Sequence, residues 1–153
     1  MTAGGQRAGR PGAPTVVMHR LGGRKKALDA CRLVEELYTA GKRVTVFLSD
    51  PGRAAIINEY LWTFAQHSFV PHVLWDGHGE VDDPVVVVAG ALANPNGSQV
   101  LVIGDRLDDP ARAAEWPEVH DLLAGSPEDE GKESAWEAAG FAVRGKGGGR
   151  GGR

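Results

Sequence analysis

The sequence has only one cysteine, Cys31, among its 153 residues. A single thiol excludes a disulfide framework and a cysteine-based zinc cage within the chain. The sequence also has no apolar run near the roughly 18 to 20 residues that cross a bilayer, and its Arg- and Gly-rich start has no apolar signal core. We therefore expect a protein of the reducing cytoplasm that is neither exported nor embedded in a membrane.

Acidic residues are absent from both ends of the chain. Residues 27–141 carry all 20 acidic residues and 7 of the 17 basic ones, a net charge of −13, whereas the remaining basic residues lie in 1–26 and 142–153. A body this acidic is a poor surface for a polyanion such as DNA or RNA. Any direct contact with nucleic acid is therefore expected from the two ends.

Residues 1–14 and 145–153 are rich in Gly, Arg and, at the start, Pro, and have few apolar residues. Segments of this composition cannot bury a core. We expect two disordered tails around a single domain at 15–144, a size that needs no disulfide or metal to hold its core.

Strand-like and helix-like segments alternate along this domain. The unbroken Val run in "PVVVVAG" and the apolar "QVLVIGD" indicate strands buried on both faces, as in a parallel sheet covered by helices. The expected fold is α/β, a three-layer α/β/α sandwich around a mainly parallel sheet. We predict strands at 15–19, 42–50, 84–90, 99–105 and 141–144, the last at a sheet edge, and helices at 25–40, 52–64, 111–124 and 127–140.

Motifs for catalysis and cofactor binding are scarce. "LGGRKK" at 21–26 has Gly and Lys after the first strand, but it matches neither common nucleotide-binding pattern. A phosphate-binding loop at Gly22–Lys26, in a small nucleotide- or phosphate-binding enzyme, remains the alternative to a plain basic loop. His67, His72 and His78 fit a metal triad or loop histidines that bond the backbone. No cofactor or metal is assigned.

The stretch "LWTFAQHSFVPH" at 61–72 concentrates aromatic residues at the end of the second predicted helix. Trp62 lies one turn from Asn58 and Glu59, so part of its ring could stay exposed beside a polar edge. A large aromatic residue at such a position is typical of a protein-binding hot spot. Coverage of the sheet edge is the equally good alternative.

This stretch resembles the hallmark of the chi subunit of bacterial DNA polymerase III holoenzyme. Similar features occur in the same order in "GKRVTVFLSD", "NPNGSQVLVIGD", "VHDLLAGS" and "AAGF", so that the resemblance covers about residues 15–141. It implies a non-catalytic accessory subunit with a parallel α/β/α fold. Its expected partners are the psi subunit, which connects it to the clamp loader, and the acidic C-terminal tail of single-stranded-DNA-binding protein.

The resemblance also implies where the partners bind. An acidic tail that ends in Phe needs an apolar slot and cations. By similarity to the family the slot lies near Trp62 and the cations come from the last helix, which here offers Lys132, with Trp136 for apolar contact. Phe69, Val70 and Pro71 are the candidates for contact with psi, although they could equally belong to the core.

The last predicted helix departs from the family's pattern. A basic, aromatic-containing stretch is usual there, but this sequence has "EDEGKES" at 128–134, with Glu130 where an Arg is expected. An acid repels an acidic tail. Either Lys132, Arg112 or the C-terminal arginines compensate, or the chain retains psi pairing without tail binding. The Gly- and Arg-rich C-terminus is either a weak tether to single-stranded DNA or a consequence of composition.

Overall fold

A computed structural model describes residues 14–21, 26–63, 69–125 and 127–146. Within them lie seven strands: β1 (Thr15–Arg20), β2 (Val44–Leu48), β3 (His72–Leu74), β4 (Val85–Ala89), β5 (Val100–Ile103), β6 (Glu118–Leu123) and β7 (Ala142–Lys146). The helices are α1 (Lys26–Thr39), α2 (Pro51–Thr63) and α3 (Lys132–Ala138), with 3₁₀ helices at Pro110–Glu115 and Pro127–Asp129. No described helix has the length and apolar composition to span a membrane.

All seven strands form one parallel sheet in the order β3-β4-β2-β5-β6-β1-β7. The central strands β2, β4 and β5 are buried along almost their whole length, as their unbroken apolar sequences predict. The predicted three-layer α/β/α sandwich with a parallel sheet is confirmed.

Each face of the sheet carries its own core. Helices α1 and α2 pack on one face, where Val34, Ile57 and Leu61 meet Val46 and Val102. On the other face, the short helix α3 and the 3₁₀ helix at Pro110–Glu115 bring Trp136, Ala113 and, at the end of the latter, Trp116 against the sheet. We call these the α1/α2 face and the α3 face.

Local chemistry explains where the elements begin and end. Asp50 accepts a hydrogen bond from the backbone N–H of Arg53, and Pro51 occupies the first turn of α2, as predicted. In the "NPNGS" turn, Asn94 and Asn96 bond to backbone groups and to the buried Thr45. This family-like motif therefore holds the turn beside β2.

The helix predicted at 111–124 is wrong. The structure has a 3₁₀ helix at Pro110–Glu115 and then strand β6, which lies between β5 and β1. The sequence "EVHDLL" did not predict this strand because His and Asp interrupt its apolar pattern. In the fold, however, His120 bonds to Glu118 and His19, and Asp121 bonds to Lys132 and Trp136. Pairing thus allows these polar side chains inside a central strand.

Smaller differences concern the other ends. The short edge strand β3 lies where no strand was predicted, and the helix predicted at 127–140 is a 3₁₀ turn followed by the shorter α3. Strand β7 lies at the edge, as expected for 141–144, but it extends to Lys146. The expectations for 1–13 and 147–153 lie outside the described residues.

Candidate partner-binding surfaces

An exposed aromatic surface lies where α2 ends and β3 begins. Trp62 is 53% exposed and Phe69 is 59% exposed, although large apolar side chains are usually buried. Their ring centroids are 5.7 Å apart. We call these two residues the aromatic surface, and its two rings, seven positions apart in sequence, form one continuous contact area.

His72 supports this surface from below. The ring of His72 is buried, and its centroid lies 4.4 Å from that of Trp62. Its Nδ1 lies 2.7 Å from the carbonyl oxygen of Val70 and its Nε2 lies 3.1 Å from the carbonyl oxygen of Asn58. These two contacts tie the ring to the segment before β3 and to α2. Trp62 therefore rests on a platform held by the main chain.

The three residues predicted to contact psi occupy different environments. Phe69 is exposed, Pro71 is half-buried, and Val70 is 1% exposed within the core of the α1/α2 face. Of the predicted trio, Val70 is therefore a core residue and offers no surface to a partner. Trp62, which the resemblance assigned to the acidic tail, lies beside Phe69 instead.

Lys132 and Trp136 belong to a buried polar cluster on the α3 face. The Nζ of Lys132 donates to the Oδ1 of Asp121 at 3.0 Å and to the carbonyl oxygen of Asp105 at 2.7 Å. The indole N–H of Trp136 donates to the Oδ2 of Asp121 at 2.8 Å, and its ring packs edge-on against Phe141. Trp136 is only 2% exposed. Both side chains thus hold α3 to β6.

Asp121 is the centre of this cluster. Burial raises the pKa of its carboxyl group, and the positive charge of Lys132 with the hydrogen bonds from Trp136 and Lys132 only partly offsets that effect. The carboxylate needs both donors because an unpaired charge in the interior is costly. The contribution of Lys132 to the fold is therefore to neutralise Asp121.

A small cleft lies beside this cluster, and we call it the α3 cleft. It has a volume of about 210 Å³. Leu107, Pro110 and Trp136 line it together with Arg106, whose side chain is 53% exposed and lies 3.7 Å from Asp108. Glu130 also lines it. The cleft therefore combines an apolar wall with one accessible cation and nearby acids.

The residues predicted for one tail-binding site do not converge. Trp62 belongs to α2, which packs on the α1/α2 face next to β3, whereas Lys132 and Trp136 belong to α3 on the opposite face. Sequence reasoning also missed Arg106. A cation directly after a buried strand was visible in "VIGDR", but only the fold shows that it lies beside Trp136.

The predicted alternatives at the loops find little support in the described geometry. His72 bonds to backbone carbonyls, and His78 lies by the exposed Asp76; His67 lies outside the described residues. Among the residues that the structure describes, no three His, Cys, Asp or Glu side chains come together as metal ligands. Burial raises the pKa of the Cys31 thiol to about 12, so it stays protonated and unreactive. Residues 22–25 lie outside the described ranges.

Comparison with known proteins gives the same family that the motifs suggest. A family model described as "DNA polymerase III chi subunit, HolC" matches residues 14–138. A probable DNA polymerase III subunit chi of Rickettsia prowazekii is 30% identical over 77 residues, covering 47% of this chain and 43% of the relative. The DNA polymerase III subunit chi of Pseudomonas aeruginosa is 28% identical over 98 residues, covering 64% of this chain and 66% of the relative.

The match spans less than two thirds of the length of either relative. The family model nevertheless covers most of the described domain, from the residue before β1 to the end of α3. The chain therefore belongs to the DNA polymerase III chi subunit family.

Proposed function

We propose that this protein is a non-catalytic accessory subunit of the cytoplasmic replication machinery. It connects the clamp loader, through psi, to the acidic C-terminal tail of single-stranded-DNA-binding protein. The family supplies this function, and the observation that carries it to specific residues is the exposed Trp62–Phe69 pair on its buried His72 platform. Exposed aromatic rings on a rigid support are the usual anchors of protein interfaces.

The aromatic surface is the proposed binding site for psi. Trp62 and Phe69 expose more than half of their area, and their ring centroids lie 5.7 Å apart. Burial of two aromatic side chains against an apolar partner supplies the hydrophobic part of a stable interface. Pro71, half-buried and two residues after Phe69 in the sequence, adds to the rim of this site.

The α3 cleft is the proposed site for the acidic tail. Its apolar wall of Leu107 and Pro110, backed by the buried Trp136, suits a terminal aromatic ring, and Arg106 suits a carboxylate. Lys132 acts in this proposal through Asp121, because its ammonium group already bonds to that carboxylate. Glu130 at the cleft opposes an anionic ligand, so we expect weak, salt-sensitive binding.

Because the two proposed binding sites lie on different faces, a single substitution can remove the binding of one partner and leave that of the other intact. The test uses fluorescence anisotropy with a labelled acidic peptide that ends in Phe, and co-purification with psi from the same bacterium. We expect Arg106→Glu to abolish peptide binding and to leave psi pairing intact, whereas Trp62→Ala does the reverse. Arg32→Glu, an equal charge reversal on the exposed side of α1, is the matched control.

The outcomes distinguish the parts of this proposal. Dependence of both partners on Trp62 would place the two sites together on the aromatic surface and refute the assignment to the α3 cleft. Absence of peptide binding at low salt, with psi pairing retained, would show that the chain has kept only the connection to the clamp loader.

A further inference from the structure

A cavity of about 570 Å³ opens at the carboxyl edge of the sheet, far larger than the α3 cleft. Residues at the ends of four strands line it, together with the first turns of α1 and α2. Its volume falls within the range of small-molecule sites, which runs from about 300 to 1,000 Å³. Neither of the two proposed partner sites includes a residue of its lining.

The position of the cavity follows from the strand order. Strands β2 and β5 are neighbours, but the chain leaves them in opposite directions: through α2 toward β3, and through the 3₁₀ helix toward β6. Because these two connections lie on opposite faces, a crevice opens between them at the carboxyl ends of the strands. Open parallel sheets bind small ligands at such points.

A glycine at the end of β5 makes room for the Leu48 side chain in the floor of the cavity. Gly104 follows β5 and lines the cavity, and a Cβ atom at this position would lie 2.4 Å from the Cδ1 of Leu48. Any larger residue would push Leu48, at the end of β2, out of its present place. The floor beneath is apolar and consists of Ala27, Ala30, Val46, Leu48, Ile57 and Leu122.

The two carboxylates that line the cavity both accept hydrogen bonds. Asp105 accepts hydrogen bonds from the backbone N–H groups of Ser49 and Arg106 and from the Ser49 hydroxyl. Asp129 accepts bonds from the backbone N–H groups of Ala124 and Gly125. Backbone donors therefore hold both carboxylates.

Two cations border the same cavity. Lys26 is exposed in the first turn of α1, and the half-exposed Arg53 contacts Asp105 at 3.4 Å from the first turn of α2. The side chains of Asp105 and Asp129 are only 3% and 18% exposed, whereas that of Arg53 is 52% exposed and Lys26 is exposed, so the charged groups that a ligand can reach at the cavity are mainly positive. An apolar floor with a positive border fits a ligand that has a flat apolar body and one anionic group.

We propose that this cavity is a binding site for small aromatic anions, the class that includes nucleoside monophosphates and aromatic carboxylates. The apolar body lies on the floor between α1 and α2, and the anionic group pairs with Arg53 and Lys26. The site is separate from the aromatic surface and from the α3 cleft, since it shares no lining residue with either.

The first test is a fluorescence titration of the full chain with 8-anilino-1-naphthalenesulfonate, an aromatic anion. We expect saturable one-to-one binding that weakens about tenfold in Arg53→Gln. Ile56→Trp places a large ring at the exposed mouth of the cavity, away from the core, and should weaken binding to a similar extent. Arg32→Gln and Trp62→Ala are the controls, and both should bind as the unchanged protein does.

Competition then identifies the anion. Displacement of the probe by AMP but not by adenosine supports a phosphate-bearing ligand, and displacement by 1-naphthoate alone supports an aromatic carboxylate. Thermal denaturation of each variant checks that the fold is intact. Absence of saturable binding, or binding that Trp62→Ala abolishes while Arg53→Gln and Ile56→Trp leave it unchanged, would overturn the proposal.

Discussion

Trp62 and Trp136 are the same residue type near the ends of two helices, yet their surroundings are opposite. Trp62 is 53% exposed and contacts Phe69 and His72, whereas Trp136 is 2% exposed and donates its indole N–H to Asp121. The indole N–H of the buried Trp136 has a carboxylate as its acceptor, and the exposed ring of Trp62 covers the imidazole of His72. Trp136 thus holds the fold together, and Trp62 remains accessible to a partner.

The comparison also shows that the role of an aromatic residue in a family-like motif can be assigned only when its structural surroundings are known. The backbone places Trp136 over β6, where Asp121 needs a donor. At the end of α2 the same side chain packs against His72, the first residue of the short edge strand β3. Stability measurements and binding measurements should therefore respond to the two residues in opposite ways.

The largest expected effect is on the buried side. Trp136→Ala should lower the free energy of unfolding by about 3–5 kcal/mol, because it leaves a cavity against Phe141 and removes a donor from Asp121. Trp136→Phe keeps most of the packing and should lose only about 1–3 kcal/mol. Urea denaturation followed by circular dichroism measures both changes. If Trp136→Ala left the free energy of unfolding unchanged, Trp136 would not be a stabilising residue and the contrast with Trp62 would fail.

Lys132→Met tests the other donor to Asp121 and should cost about 1–3 kcal/mol, because the carboxylate then lacks its cation. Burial raises the pKa of Asp121 in the folded protein above its ordinary value in the unfolded chain. As the pH rises from the ordinary pKa through the folded one, the carboxyl group ionises first in the unfolded chain, and the free energy of unfolding falls. Loss of Lys132 raises this pKa further. The cost should therefore be larger near about pH 7 than near about pH 4.

The control for this pH dependence is Asp121→Asn combined with Lys132→Met. With no ionisable group at position 121, the difference between the two pH values should disappear. Equal loss of stability by Lys132→Met at both pH values, in matched urea titrations, would mean that the ammonium group does not neutralise Asp121.

Trp62→Ala should change stability by less than about 1 kcal/mol, since Trp62 is already 53% exposed and loses only its ring contacts with Phe69 and His72. The same substitution should weaken a complex that uses the aromatic surface by about thirtyfold, as loss of a hot spot of about 2 kcal/mol does. A thermal melt beside a psi titration gives both values. Loss of stability without loss of affinity would make Trp62 a structural residue after all.

Much of the fold was visible in the sequence, because apolar runs such as "PVVVVAG" and the Asp50–Pro51 cap are local signals. Strand β6 was not visible, since its His120 and Asp121 are satisfied by residues elsewhere in the chain, including His19 and Lys132. Only the fold reveals such pairing.

The candidate sites were predictable to a similar extent. The stretch at 61–72 identified the aromatic residues, but whether Trp62 faces solvent depends on the neighbouring edge strand. The separation of Trp62 from Trp136 depends on which face of the sheet each helix covers. A resemblance in sequence therefore indicated candidate residues without showing which of them share a surface.

The smallest expected effect concerns the exposed charges around the buried tryptophan. Glu130→Arg should change stability by less than about 0.5 kcal/mol, because the side chain is exposed. At low salt it should strengthen binding of an acidic peptide ending in Phe about two- to fivefold, the size of a single exposed charge contact. Glu133→Arg makes the same change three residues further on, in the first turn of α3 and outside the residues that line the α3 cleft. If anisotropy shows an equal gain in affinity for both variants, the effect is one of overall charge. A gain in affinity for Glu130→Arg alone, lost as salt is raised, would locate the peptide beside Trp136, on a surface separate from Trp62.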